Sequence, residues 1–478
     1  MVLLSGASVA LGWLAGARTF WLGFPLGLGL VMVLRLFTYS FFHNFEMPAL
    51  GNPVFYGLLG AALLIAVWRA RPGDRFWSSV GIAVGLGLLA AVATRVFGVQ
   101  GTNHGDSLWI LSVAHLLDIN GNLHFLSGHT PIKRGFLYPL MLALGDRDEY
   151  LTSFPPFVFA ALAAATVWLT TELTKRYDWR RTATVAVLLV GVTLTARMPL
   201  LSIFYINGHT LTALGVMLTA GAVILAVRDE KLSAMNLLLA CTGIFIISGT
   251  RVEGIAFAAI LSLPLLSRRW IKRWQIMVII SSATVPLTIW LLTYHSYIAR
   301  LGNRIPELAF AAILLIAGLV PAAKIFDWFR FRSVWIGVVP LVLMFVGAQL
   351  AVAGSLKKGN ESLVKNLILG QGSWGALVLL LPLTLAFVDW RKLSSEVKSL
   401  GTILFSMIMA ALVVKMLDGG QFGHPTLGRP GWSDSLNRMW IHFFALLLVV
   451  AATALIENDK LWMWLPQAKS KPKKAVKS

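Results

Sequence analysis

Residues 209–227 read HTLTALGVMLTAGAVILAV, a run without Asp, Glu, Lys or Arg, and Arg228 follows it directly. An α-helix rises about 1.5 Å per residue, so a run of this length crosses the hydrocarbon core of a bilayer, which is about 30 Å thick. A segment inside hydrocarbon must satisfy its own backbone polar groups. A continuous apolar run does so as a helix, whereas membrane β-strands alternate polar and apolar residues. The stretch therefore predicts a membrane-spanning helix.

Similar apolar blocks recur along the whole chain. Of its 478 residues, 57% are hydrophobic and only 13% are charged, and the mean hydropathy is +0.75. Soluble domains carry about 25% charged residues. The sequence thus predicts an all-α, polytopic integral membrane protein with about 14–15 transmembrane helices. The predicted spans are residues 2–16, 20–40, 52–68, 78–97, 153–173, 183–196, 209–227, 233–249, 253–267, 275–294, 306–323, 333–353, 373–388, 398–416 and 438–456.

The distribution of charge predicts the orientation of these spans. The chain has 41 Lys and Arg against 21 Asp and Glu, a net charge of +20. Most of the excess lies in short loops between apolar blocks, which is typical of cytoplasmic loops and not of a nucleic-acid-binding surface. If the loop with Arg69, Arg71 and Arg75 is cytoplasmic, every second loop after it is also basic. We therefore expect a multi-pass cell-membrane protein with no nucleic-acid partner.

Four regions follow from this topology. Residues 1–97 hold N-terminal transmembrane helices, 98–152 form a long non-cytoplasmic loop, 153–456 form a transmembrane bundle, and 457–478 form a basic cytoplasmic tail. Long loops are usually functional, so we expect the chemistry in the loop. The single cysteine, Cys241, lies inside an apolar block, which excludes an intrachain disulfide.

The long loop contains one acid at a conspicuous position. Asp106 opens a stretch to Asp118 in which Trp109, Ile110, Val113, Leu116 and Leu117 share one helical face, with Ser107, Ala114, His115 and Asp118 opposite. This pattern predicts a short amphipathic helix lying in the membrane interface. Asp106 after a glycine and before an apolar run is a good N-cap, and it could equally be a catalytic base. Both roles remain open, and they are compatible.

Several basic residues occur at the predicted outer ends of spans, although Lys and Arg are normally enriched in the cytoplasmic loops. They are Arg35, Arg95, Arg197, Arg251, Lys415 and Arg438, and Lys133 and Arg134 lie on the outer loop itself. Each one alone could extend to lipid headgroups. Together, they suggest an anionic ligand such as a lipid phosphate. Histidines 104, 115, 124 and 129 crowd the same loop, but their spacing matches no standard metal site, so no metal is predicted.

Three segments carry a resemblance to a known family. They are Arg134-Gly135-Phe136-Leu137-Tyr138-Pro139-Leu140 after the acid-bearing loop, Thr250-Arg251-Val252-Glu253-Gly254-Ile255 in a turn, and Ser435-Leu436-Asn437-Arg438-Met439-Trp440-Ile441-His442 at the start of a late span. With a polytopic chain and an interfacial helix, these segments resemble the GT-C glycosyltransferases, in particular the protein O-mannosyltransferases and lipid A aminoarabinose transferases. The resemblance covers roughly residues 80 to 270, and the late span more weakly.

The resemblance implies an inverting glycosyltransferase of the cell envelope. Its donor would be a polyprenyl-phosphate-linked sugar, and its acceptor a hydroxyl of a glycan, lipid or protein on the non-cytoplasmic face, with no cofactor. The implied catalytic base is Asp106. The substrate-binding candidates are His104, His129, Lys133, Arg134, Tyr138, Arg251, Glu253 and Arg438.

Two other classes remain open. A secondary transporter or lipid flippase for an anionic or lipid-linked substrate also has a dozen or more spans. Such proteins usually place polar residues near the bilayer midplane and often contain repeats. In this chain the charges cluster at span ends and no repeat is evident. A non-catalytic membrane scaffold would leave the loop acid and the outer arginines unexplained.

Overall fold

The computed structural model describes residues 1–44, 47–97, 110–115, 117, 136–145, 148–251, 254–266, 268, 270–293, 361–389, 391–421 and 435–462. Within these ranges the chain is an all-α membrane protein, 83% helical and without a strand. The helices are α1 (Val2–Leu14), α2 (Phe20–Asn44), α3 (Pro48–Arg69), α4 (Arg75–Phe97), α5 (Leu137–Leu142), α6 (Asp148–Thr174), α7 (Trp179–Leu194), α8 (Arg197–Ser202), α9 (His209–Arg228), α10 (Ala234–Thr250), α11 (Gly254–Leu266), α12 (Arg273–Thr293), α13 (Leu377–Phe387), α14 (Ser395–Gln421), α15 (Ser435–Met439) and α16 (Phe444–Glu457).

Six helices among the described residues are long and apolar enough to cross a bilayer. They are Phe20–Phe42, Ala49–Arg69, Arg75–Val96, Tyr150–Thr174, His209–Arg228 and Ser395–Leu412. Val2–Leu14, Ala234–Thr250 and Phe444–Glu457 are apolar but shorter. The predicted blocks at 306–323 and 333–353 lie outside the described residues, so the number of spans stays a prediction.

Two predicted spans differ in detail from the helices observed. The block 373–388 begins as a turn, because Ser373 and Gly375 have positive φ angles of 61° and 51°, which a right-handed helix does not allow. Helix α13 therefore starts only at Leu377. The block 438–456 is broken into α15, a 3₁₀ turn at Trp440–His442, and α16.

Helix α9 lies at the centre of the bundle. Every residue from His209 to Val227 is buried, and α9 packs against α6, α10, α11 and α14. Its closest approach is to α10, because a Cβ on Gly215 would lie 2.6 Å from the carbonyl oxygen of Gly243. Small residues let helix backbones pack this closely, and such packing drives helix association in membranes. The chargeless stretch that predicts a span is thus the core of the bundle.

Helices α3 and α4 lie at the periphery. They contact α1, and they expose large apolar side chains such as Leu64 and Trp68, which are 71% and 83% exposed. Apolar surface of this extent is unfavourable in water, whereas lipid tails solvate it. The exposed faces therefore fit a membrane-embedded surface.

Ion pairs connect the helices at one end of the bundle, which we call the Glu457 end. Arg176 lies 2.7 Å from Glu457, and Arg181 lies 2.7 Å from Asp459. Glu457 also accepts hydrogen bonds from the backbone N–H and the hydroxyl of Ser394. These contacts join the α6–α7 connection to the start of α14 and the end of α16. All of these segments belong to loops that the charge pattern predicts to be cytoplasmic.

The long loop is described over 110–115, at residue 117 and over 136–145 and 148–152, and residues 110–115 are helical. Ile110, Val113 and Leu117 are buried, as the amphipathic pattern predicts. Ala114 was expected on the opposite face, but it is only 2% exposed. That expectation was wrong because residues 110, 114 and 117 are spaced four and three apart, which places them on one side of a helix.

Candidate functional site

The opposite end of the bundle holds a polar group that we call the histidine cluster: Tyr205, His209, Arg251, Arg438 and His442. His442, His209 and Arg438 have exposed fractions of 0%, 4% and 6%. Ionisable side chains within membrane-embedded segments are costly, and by default they indicate a functional site. The burial of three such residues together makes this cluster the candidate site.

Two histidine rings form the centre of the cluster. His209 begins α9 and His442 ends the 3₁₀ turn, and the distance from Nδ1 of His209 to Nε2 of His442 is 2.7 Å. The ring centroids are 4.8 Å apart, and Phe257 of α11 packs edge-on against His442. A distance of 2.7 Å is that of a hydrogen bond. One ring nitrogen therefore donates and the other accepts.

Two arginines contact residues of the cluster from different segments. Arg251 follows the last residue of α10 with an extended backbone, and its Nη1 lies 3.0 Å from Nδ1 of His209. Arg438 of α15 donates from Nη1 to the hydroxyl of Tyr205 at 3.2 Å. Tyr205 lies four residues before His209 in the chain, and Arg438 lies four residues before His442. Guanidinium groups stay protonated in proteins, and the cluster therefore carries two permanent positive charges.

A turn at residues 370–376 packs beside Arg438. The indole N–H of Trp374 donates to Oδ1 of Asn437 at 2.6 Å, and the amide of Asn437 donates to the carbonyl oxygen of Gly372. The carbonyl oxygen of Ser373 accepts from the backbone N–H of Met198 at 2.8 Å. These bonds connect the turn to α8 on one side and to α15 on the other, which holds the backbone next to Arg438 in place.

An apolar groove of about 150 Å³ adjoins the same turn. Its lining is almost wholly hydrocarbon and indole, contributed by α13, α14, α16 and the segments before them. The lining residues are Leu367, Trp374, Leu377, Val378, Leu404, Ile408, Trp440, Phe443, Phe444 and Leu447. Trp440 and Phe443 flank His442 in the chain, so apolar and charged surfaces are close to each other at this end of the bundle.

Tyr138 lies behind the cluster in α5. It is 2% exposed, and its Cβ would be 4.0 Å from a Cβ on Gly208, the residue before His209. Burial raises the pKa of the Tyr138 hydroxyl far above its ordinary value, so this group stays neutral at physiological pH. Tyr138 can therefore act as a neutral wall of the site but not as a base.

Of the predicted site residues, the structure places Arg251 and Arg438 in the histidine cluster, and Tyr138 lies next to it. Arg35 is buried elsewhere, 5.5 Å and 5.4 Å from the ring centroids of Tyr39 and Phe55, while Arg95 and Arg197 are exposed. The expected convergence of outer arginines is thus limited to two of them among the described side chains. Asp106, His104, His129, Lys133, Arg134 and Glu253 lie outside the described residues.

Sequence reasoning did not single out His209, His442 or Trp374. A signal for the histidines was present, because each opens an apolar stretch and an ionisable group there needs a partner. Of the four loop histidines, only His115 is described, and it is exposed. Within the described ranges, no group of three or more His, Cys, Asp and Glu side chains could hold a metal ion.

In comparisons with known proteins, no family model, no curated protein and no solved structure matches this chain.

Proposed function

We propose that this chain is a GT-C-like membrane glycosyltransferase of about 14–15 spans. It transfers a sugar from a polyprenyl-phosphate donor to an acceptor hydroxyl on the non-cytoplasmic face. The observation that supports this proposal is the histidine cluster, in which Arg251 contacts His209 of the buried His209–His442 pair and Arg438 contacts Tyr205. A lipid-linked phosphate is the ligand whose chemistry fits this arrangement best.

The charge of the cluster suits a departing phosphate. When the bond between the sugar carbon and the phosphate oxygen breaks, the phosphate takes the electron pair and gains negative charge. Two guanidinium groups stabilise this charge more in the transition state than in the ground state, which lowers the barrier. Their N–H groups also match the oxygens of a phosphate in a bidentate manner.

The apolar groove suits the other half of the donor. A polyprenyl chain is hydrocarbon, and the groove offers Trp374, Trp440 and Phe444 beside the segment that carries Arg438. A phosphate at the arginines and a chain along the groove would together orient the sugar toward the outer face. This pairing of charge with an apolar channel distinguishes a lipid-linked phosphate from a soluble one.

The base in this proposal is Asp106, which the family resemblance suggests. Its carboxylate would take the proton of the acceptor hydroxyl while the acceptor oxygen attacks the sugar carbon. The phosphate leaves on the opposite side, so one acid suffices and the configuration at that carbon inverts. A retaining mechanism would need a second carboxylate about 5 Å away.

Replacing the two arginines tests the proposal. Arg251→Ala and Arg438→Ala should each weaken donor use by about 10- to 100-fold, the scale for losing a charge-assisted contact, and Lys should recover only part of the loss. The matched control is Arg197→Ala, because Arg197 is exposed and outside the cluster. The assay measures sugar transfer from a synthetic polyprenyl-phosphate sugar by the full chain in proteoliposomes.

The outcomes separate the competing functions. Donor use at the wild-type level in both cluster variants would contradict the phosphate assignment. Movement of a labelled polyprenyl phosphate across the bilayer by the wild-type chain, with no sugar transferred, would favour a lipid flippase instead.

A further inference from the structure

We propose that His209 and His442 are positioning residues that hold the Arg251 guanidinium ready for the donor phosphate. This inference rests on the proposed function and concerns two residues that are not among the predicted substrate-binding candidates. Its basis is the chain of contacts Arg251–His209–His442, at 3.0 Å and 2.7 Å, in which both rings are at least 96% buried.

The hydrogen positions follow from the chemistry of arginine. A guanidinium has N–H donors only, so the Nδ1 of His209 facing it must present a lone pair. Nδ1 therefore carries no hydrogen, and the proton of a neutral His209 lies on Nε2. Because the same Nδ1 is 2.7 Å from Nε2 of His442, that His442 nitrogen must be the donor. With both donors sharing the one lone pair of Nδ1, the contacts favour the Nε2–H tautomer for both rings.

A histidine is well suited to hold an arginine that must bind an anion. Arg251 has an extended backbone beyond the end of α10, and an arginine side chain loses much rotamer freedom when it is held in one position. A carboxylate would order it but would also neutralise the charge that the phosphate needs. A neutral imidazole nitrogen accepts one N–H and leaves the positive charge of the guanidinium in place.

His442 in turn positions His209. Its Nε2–H holds the ring of His209 in the acceptor tautomer, and its own ring is fixed by the edge of Phe257, with centroids 5.8 Å apart. His442 also lies one helical turn after Arg438. The pair therefore connects Arg251 to the segment that carries Arg438.

The side-chain geometry yields a test that depends on single atoms. The amide of Asn superimposes on Nδ1 of histidine and that of Gln on Nε2. Since His209 uses Nδ1 and His442 uses Nε2, His209→Asn and His442→Gln should bind donor phosphate within about threefold of wild type. His209→Gln and His442→Asn should bind about tenfold or more weakly, the scale of a lost hydrogen bond to a charged group.

The experiment measures binding of a synthetic C15 polyprenyl phosphate to the full chain in detergent, with thermal stability recorded for every variant. Each position supplies its own control, because the two amides differ by only one methylene. Loss of binding in His209→Gln and His442→Asn, with retention in the other two, supports the inference.

Two results would overturn this inference, and only the second of them would also overturn the proposed function. Equal binding by all four variants would overturn the positioning role and leave the proposed function standing. No binding of the probe by the wild-type chain would overturn both.

Discussion

At the scale of single residues, the same side chain type takes different roles according to its burial. Arg197 is exposed, while Arg438 is 6% exposed and bonded to Tyr205. An exposed arginine at a membrane surface interacts with headgroups and water at little cost, whereas a buried one must be compensated by specific partners. Arg438 is therefore assigned to a ligand site together with Arg251, which contacts the buried His209, and the exposed Arg197 serves as their control.

Asp106 allows a sharp prediction at this scale. Asp106→Asn keeps the size of the side chain and most of its helix-capping ability, because Asn caps about as well as Asp. It removes the carboxylate, so we expect a folded protein in which glycosyl transfer falls by about 10²- to 10⁴-fold. Transfer rates and thermal stability of the purified variant and wild type are to be compared. An equally stable and equally fast Asp106→Asn protein would show that Asp106 is only a cap.

At the scale of helices, close packing of α9 and α10 positions the site. His209 begins α9 and Arg251 follows α10, so the distance between these residues depends on how these two helices pack. Gly215 and Gly243 set that packing, since a Cβ on either would approach the backbone of the other helix. The contact between His209 and Arg251 at the end of the bundle thus depends on the packing of Gly215 and Gly243 inside it.

Adding a methyl group at this contact tests the relation. Gly215→Ala should destabilise the protein by about 1–3 kcal/mol, because the new Cβ would lie 2.6 Å from the Gly243 carbonyl oxygen and the helices must separate. Gly60→Ala on α3 is the control, since a Cβ there meets nothing within 4 Å. Thermal unfolding of both variants in one detergent gives the comparison. A Gly215→Ala protein as stable as the Gly60→Ala protein would contradict the proposed packing role.

At the scale of the whole molecule, the two ends of the bundle differ in chemistry. The Glu457 end pairs acids with arginines between loops, as in Arg176–Glu457. The other end joins buried histidines and arginines beside an apolar groove. The alternating orientation predicted from charge places Arg176, Arg228 and Glu457 on the cytoplasmic side. The histidine cluster would then face the opposite side.

Thiol labelling tests this orientation. In a chain whose single native cysteine is replaced (Cys241→Ala), Ser127→Cys should react with a membrane-impermeant thiol reagent in intact cells. Lys231→Cys, an exposed residue between α9 and α10, should react only after lysis. Labelling is read by the mass added to the purified protein. The reverse pattern would invert the topology and place the histidine cluster in the cytoplasm.

The helical, membrane-spanning character of this chain could be predicted from sequence because hydropathy is a local property. A run such as residues 209–227 needs no knowledge of its neighbours to favour a helix in lipid. Arg251 and Arg438 could also be selected as candidates, because their positions at span ends conflict with the charge pattern. At Ala114 the helical period itself gives the buried face, because residues 110, 114 and 117 lie on one side of a helix.

The histidine cluster depended on tertiary structure. His209 and His442 are 233 positions apart in the chain, and their contact arises because α9 and the 3₁₀ turn before α16 meet at one end of the bundle. The break at Trp440–His442 and the positive φ angle at Ser373 have no signature in an apolar pattern. The physical reason is that apolar burial is non-directional. It favours membrane-spanning segments but does not determine how those segments pack against one another. Which polar side chains meet depends on the close packing of backbones and on hydrogen bonds between segments far apart in sequence.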